Sequence, residues 1–191
     1  LVLPSGISLA SFEYGDGTNW PSRADGEGSS LEPIDPSNDL NDPSNWRPSV
    51  ARGGTPGSLA IEPIDDVIIH EVLTNTPGSA EDMIEFFNPT DRMIDMGGLW
   101  LSDSLDNLDR HVIPVLTTIP AESYLTLFER DFDFGLSGNG EEVVLVQPGV
   151  NGSPDLFVDH VSFGAALPGE SLGRWPDATG ELYPMISATP G

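Results

Sequence analysis

The 191-residue sequence predicts an all-β fold, an antiparallel sandwich or barrel. Three observations carry that reading. Gly supplies 21 residues and Pro 18, about twice their usual combined share, and breakers at that density leave no room for long helices. Short β-branched or alternating runs recur between turn residues at near-regular spacing. No segment keeps a helical period, and none approaches the run of about eighteen apolar residues that spans a bilayer.

The elements follow in order. Residues 1–63 are loop-like, with Gly15-Asp16-Gly17, Trp20-Pro21 and the acidic stretch from Asp35 to Asp42; only 7–12 alternates as a strand. Gly53-Gly54-Thr55-Pro56-Gly57-Ser58 then reads as a boundary, because it joins flexibility to a rigid turn. From residue 64 strands are expected at 67–74, 82–88, 94–102, 111–114, 124–130, 142–147 and 156–163, with 171–175 as a last edge segment. In 82–88, Ile84 and Phe86 share one face while Met83, Glu85 and Phe87 share the other. Glu85 on a half-buried face needs a partner, and a backbone group or an Arg is the expected one. Gly138-Asn139-Gly140 marks a turn, and Gly97-Gly98 a bulge or corner where chains cross closely.

An internal echo accompanies this pattern. Ser11-Phe12, Ser30-Leu31, Trp46 and Thr55-Pro56-Gly57 recur in the same order as Ser162-Phe163, Ser171-Leu172, Trp175 and Thr189-Pro190-Gly191. The spacings differ because the first set carries the acidic insertion. Four matches in order read as a repeat.

Three phrases then carry a family resemblance: residues 67–73 followed by 82–90, the run Ile94-Asp95-Met96-Gly97-Gly98-Leu99-Trp100-Leu101-Ser102-Asp103, and the Gly-rich segment 134–145. Over about residues 64–175 the chain resembles the lamin tail domain family in its bacterial extracellular branch. There the first strand commonly ends in Asn-Glu and the second carries an Ile-Glu-Leu-x-Asn core. His70 stands where Asn is usual, and Trp100 is shifted by one place. The resemblance implies an immunoglobulin-like antiparallel β-sandwich without catalytic activity of its own, appended to nuclear lamins or to large bacterial surface proteins. On this reading residues 1–63 are the C-terminal remnant of a preceding lamin-tail-like repeat plus a linker, and 64–191 are one lamin-tail-like sandwich.

Charge narrows the partners. Asp and Glu number 31 against 7 basic residues, all Arg, for a formal charge of -24. A field this negative repels phosphate backbones, so nucleic acid is excluded, and so is insertion into or attraction to an anionic membrane. The role in DNA and chromatin binding linked to nuclear members does not transfer. Protein or glycan ligands remain, together with neighbouring repeats of the same chain. The absence of Cys excludes disulfides and thiolate chemistry. The chain opens on Leu1 without a basic and apolar leader, as an internal piece of a larger secreted or cell-surface bacterial protein would.

Catalytic constellations are sparse. His70-Glu71 and Asp159-His160 each set a carboxylate beside an imidazole, but no His-x-His or His-x-x-x-His spacing exists and the three histidines fall in separate strands. No Gly-x-Ser-x-Gly elbow appears, and a phosphate-binding loop needs the Lys this chain lacks. The loop Asp103-Ser104-Leu105-Asp106-Asn107-Leu108-Asp109 offers oxygen ligands from Asp103, Asp106, Asn107 and Asp109, and Ca²⁺ is the candidate cofactor there. It lacks the rhythm of an EF-hand, and a solvated turn is the bland reading. Trp20 and Trp175, each before Pro, read as anchors over the sandwich rim, and Trp100 as core. The expected function is a non-enzymatic binding or structural module; the alternative is a metal-dependent hydrolase using His70, Glu71 and nearby carboxylates.

Overall fold

The computed structural model describes residues 4–7, 11–15, 17, 19–176, 178 and 180–189. The chain divides into two compact units, Leu1–Glu62 and Pro63–Gly191.

In the first unit β1 (Leu31–Pro33) pairs antiparallel with β2 (Trp46–Pro48), setting Leu31 opposite Pro48 and Pro33 opposite Trp46. The acidic segment between them is built from Asx turns. Asp35 accepts from the Ser37 N–H at 2.8 Å, Asp39 from Asn41 at 2.9 Å and Asp42 from Ser44 at 2.9 Å. The Ser37 and Ser44 hydroxyls and amides hold the Asp35 and Asp42 carboxyls below the usual carboxylate range. The Trp46 ring packs 4.6 Å from Phe12 and 6.1 Å from Trp20. Of the strand expected at 7–12, residues 8–10 lie outside the described residues, and Ser11 and Phe12 are not in a strand.

The second unit is an all-β, immunoglobulin-like antiparallel sandwich. Its strands are β3 (Ile68–Leu73), β4 (Met83–Phe87), β5 (Ile94–Asp95), β6 (Trp100–Ser102), β7 (His111–Val112), β8 (Thr118–Ile119), β9 (Tyr124–Phe128), β10 (Gly140–Gln147), β11 (Leu156–Gly164), β12 (Ser171–Trp175) and β13 (Glu181–Met185). One sheet runs β13-β12-β3-β4-β9 and the facing one β11-β10-β6-β7; β5 and β8 form a small ladder. Between the sheets, Ile69, Val72, Ile84, Phe86 and Leu172 meet Leu101, Val143, Leu145, Val161 and Phe163. Alternation therefore places Ile84 and Phe86 inward, as their spacing predicts.

Two expectations are corrected. Residues 94–102 do not form one strand but break into β5 and β6, in different sheets. Gly98 takes φ +87 at the corner, and a Cβ on Gly97 would stand 2.9 Å from the Val115 Cα. Residues 171–175 are not an edge either, since β13 pairs outside them with Pro184 opposite Leu172. Pro184 and the turn signals before Glu181 hide this strand in the sequence, because Pro is tolerated only on an edge.

Trp100, expected in the core, is half-buried on the opposite face of its sheet. There it packs on a second cluster of Leu105, Leu108, Val144, Val146 and Phe157. Residues 103–109 thus fold over the outer face of the four-stranded sheet, fastened by two leucines.

Two polar staples close the sandwich. The β3–β12 ladder stops at Glu71–Gly173, and the next backbone groups of β3 are taken by side chains. Asp159 on β11 accepts the Ile69 N–H at 2.7 Å, and the Arg174 Nε donates to the Ile69 carbonyl at 2.8 Å. Arg174 and Asp159 are themselves paired at 2.9 Å. Fully buried Asn88, just past β4, lies 2.7, 3.1 and 2.9 Å from the carbonyls of Arg92, Ile119 and Pro120. Its Oδ1 accepts from the Thr90 N–H at 2.9 Å.

Asn88→Ala removes all three bonds, including the one to the buried Ile119 carbonyl, and is expected to cost about 1–3 kcal/mol in urea unfolding. Gly97→Ala forces a Cβ into the Val115 backbone, with an expected loss of about 1–3 kcal/mol by the same measurement.

Candidate functional site

A buried polar cluster sits on the outer face of the five-stranded sheet. Across β3 and β4 the register runs Ile69–Phe86 and then Glu71–Glu85, so His70 is the extra residue of a bulge. Ile69 and Val72 both face the core, and the two residues between them both face outward. A strict alternation would have sent His70 and Glu71 to opposite faces.

The bulge brings three chemistry-bearing side chains together. Glu71 and Glu85 are each 0% exposed and His70 is 8% exposed. One donor atom from each lies within 4.8 Å of the others, and this is the one such group of three among the described residues. His70 Nδ1 is 3.1 Å from Glu85 Oε1. The Thr126 hydroxyl donates to Glu85 Oε2 at 3.2 Å. Glu71 accepts from the Thr189 hydroxyl at 2.8 Å and from its N–H at 3.1 Å. The His70 ring stands edge-on to Tyr124 at 5.0 Å. Glu85 is thus met by an imidazole and a hydroxyl. One signal in the sequence points to this: two consecutive polar residues, His70 and Glu71, inside an apolar strand.

The 103–109 loop is arranged differently. Asp103 is paired with Arg110, while Asp106, Asn107 and Asp109 are exposed. The loop is shaped by Ser102, whose hydroxyl lies 2.6 Å from the Asn107 carbonyl and accepts the Ser104 N–H at 3.0 Å. Glu142 accepts the Leu105 N–H at 2.8 Å. The structure does not gather Asp103, Asp106 and Asp109 into a three-donor group.

Beside this loop an open groove of about 370 Å³ is lined by Asp103, Glu141, Glu142, Ser162 and Phe163. Burial pushes the Glu141 carboxyl above its ordinary value; Asp103 and Asp82 add to the rise, and a hydrogen bond from the Ser137 N–H opposes it. Glu142 in turn holds His160 Nε2 at 3.2 Å, and His111 Nδ1 lies 3.2 Å from Asp133. Of the carboxylates adjacent in sequence to His70 and His160, Glu71 bonds to Thr189 and Asp159 pairs with Arg174.

The second unit is thus an antiparallel β-sandwich whose three imidazoles each lie beside a carboxylate. The Lamin Tail Domain family model matches residues 61–164, more than half of the chain. The chain belongs to the lamin tail domain family, whose members are immunoglobulin-like structural domains and not generally enzymes. No curated protein and no solved structure matches it.

The raised Glu141 carboxyl fixes the sign of a pH effect. A native state that binds its proton more tightly than the unfolded chain loses stability as pH rises from the ordinary value of 4.5 through the folded one. Glu141→Gln, which keeps an acceptor for Ser137, is expected to raise the urea midpoint at about pH 7 and leave it unchanged at about pH 3. Equal midpoints at neutral pH would count against a destabilising charge at this position.

Proposed function

We propose that this chain is a non-catalytic binding or structural module of a larger secreted or cell-surface bacterial protein, and that it recognises a protein partner. The observation that carries the non-catalytic part is the state of its imidazoles. His70, His111 and His160 are held by Glu85, Asp133 and Glu142, with side chains 10%, 9% and 9% exposed. A general base must reach a proton on its substrate. The alternative, a metal-dependent hydrolase using His70, Glu71 and nearby carboxylates, needs a coordination position that faces substrate. Glu71 and Glu85 are both 0% exposed, which argues against it.

Protein recognition is supported by the turn between β7 and β8. Val115 and Leu116 are 80% and 85% exposed, and Leu116 holds φ +69. A bulky side chain in the left-handed region is strained, and this one recovers nothing by burial within its own chain. Such a residue fits contact with an apolar pocket on another protein.

We read residues 1–63 as the remnant of a preceding repeat plus a linker. The support is a shared clasp: the Thr55 hydroxyl donates to buried Glu32 at 3.4 Å, as the Thr189 hydroxyl donates to Glu71 at 2.8 Å. The echo is incomplete, since Trp46 lies in the second strand of its hairpin and Trp175 in the first. Pro190 and Gly191 lie outside the described residues.

Leu116→Gly separates strain from recognition. It is expected to raise stability by about 1 kcal/mol while weakening binding to a protein selected from a panel of secreted and surface proteins. Selective retention on a glycan array instead would transfer the reading to sugars. Hydrolytic turnover that disappears in His70→Ala would overturn the non-catalytic assignment.

A further inference from the structure

We propose that His70, Glu71 and Glu85 form a binding site for a divalent transition metal of the Zn²⁺ class, which fastens the segment around Thr189 to the five-stranded sheet. The inference does not depend on the identity of a partner.

The donor set selects the metal. One imidazole nitrogen and two carboxylate oxygens suit Zn²⁺ and its neighbours, whereas Ca²⁺ and Mg²⁺ take oxygen alone. The spacing agrees: His70 Nδ1 and Glu85 Oε1 are 3.1 Å apart, close to the separation of about 3.3 Å that tetrahedral bonds of about 2.0–2.1 Å impose. All three donors lie within 4.8 Å, so closing on one ion requires side-chain adjustment rather than a change of register.

Charge gives the reason for an ion. Glu71 and Glu85 are paired across β3 and β4 and both are fully buried. Buried charges are costly unless paired or metal-bound. The four arginines of this unit are engaged by other carboxylates, Arg92 by Asp66, Arg110 by Asp103, Arg130 by Glu81 and Arg174 by Asp159. A single imidazolium offsets one negative charge of two, and a divalent cation offsets both.

The surroundings resemble an outer shell that orients ligands. Thr126 holds the second oxygen of Glu85 and Thr189 bonds to Glu71. A buried hydroxyl lies on the same face of the sheet. Ser171 Oγ is buried without a hydrogen-bond partner. Leu172 faces the core, so Ser171 and Gly173 share the outward face, and Gly173 pairs with Glu71.

The test uses the whole chain after treatment with a chelator and dialysis. Isothermal calorimetry with Zn²⁺ is expected to show one equivalent bound, and the thermal midpoint to rise with Zn²⁺ concentration by mass action. Co²⁺ is expected to give the strong visible bands of a four-coordinate site, unaffected by excess Ca²⁺. Glu85→Gln keeps the shape of the side chain and an acceptor for Thr126, and is expected to weaken Zn²⁺ binding by about 100-fold. Zn²⁺ is also expected to slow proteolysis at the C-terminal segment, which a surface site elsewhere would not do. Absence of a one-equivalent binding phase in the native chain overturns the proposal. So does undiminished affinity in Glu85→Gln, because the ion would then sit on surface carboxylates. His70→Ala is the second variant; should it fail to fold, the His70 imidazole NMR signals of the native chain decide, since they must move with Zn²⁺ while those of His111 and His160 stay.

Discussion

The second unit depends on what happens where the β3–β12 ladder stops. Backbone pairing ends at Glu71–Gly173, and a buried N–H or C=O left unpaired at that point would cost about 1–3 kcal/mol. Asp159 and Arg174 take both groups of Ile69 and then pair with each other. Because Asp159 belongs to β11 and Arg174 to β12, the arrangement ties one sheet to the other along an open side. It also immobilises β3 next to its bulge, and the bulge is what turns His70 and Glu71 to the same face. The clasp and the cluster with Glu85 therefore flank the same bulge.

The two sheets cover their outer faces by different means. The four-stranded sheet carries Val144 and Val146 outward and buries them under Leu105, Leu108 and Trp100, an apolar contact that contributes through area removed from water. The five-stranded sheet carries Glu71, His70 and Glu85 outward, under Thr189 and the ring of Tyr124. Polar cover of that kind holds a single geometry, because each donor and acceptor must find its partner. The first face gains its stability without such matching, while the second is sensitive to anything that changes its charge.

A chain of charge -24 could be expected to resist compaction. Many of its carboxylates instead serve as acceptors for backbone N–H groups that short strands and long loops leave without a ladder. Asp82 receives Leu136, Asp95 receives Gly97, Asp131 receives Phe128, Asp155 receives Gly149 and Glu170 receives Leu167. Charged acceptors make stronger hydrogen bonds than neutral ones. Acidity here is partly a means of ending turns, which accounts for the Asx pattern of residues 35–44 as well.

The sequence by itself determined the class of fold and the faces of the regular strands. Alternation at Ile84 and Phe86 obeys a period of two that needs no tertiary information, and Gly97-Gly98 announced a corner because only Gly fits so close an approach. It also carried the family, since the phrases around 67–103 survive as local patterns. Only the tertiary structure decided the rest. A bulge shifts the face of every residue beyond it, so the convergence of His70 and Glu71 with Glu85 was not legible from spacing. Pro184 hid a strand whose edge position makes that proline harmless. Nor did the sequence show that Arg110 pairs with Asp103 and that Leu105 and Leu108 hold the 103–109 loop on the sheet. Local periodicity is written residue by residue, whereas partners across 90 or 118 positions, as for Ile69 with Asp159 and Glu71 with Thr189, exist only once the sheets have packed.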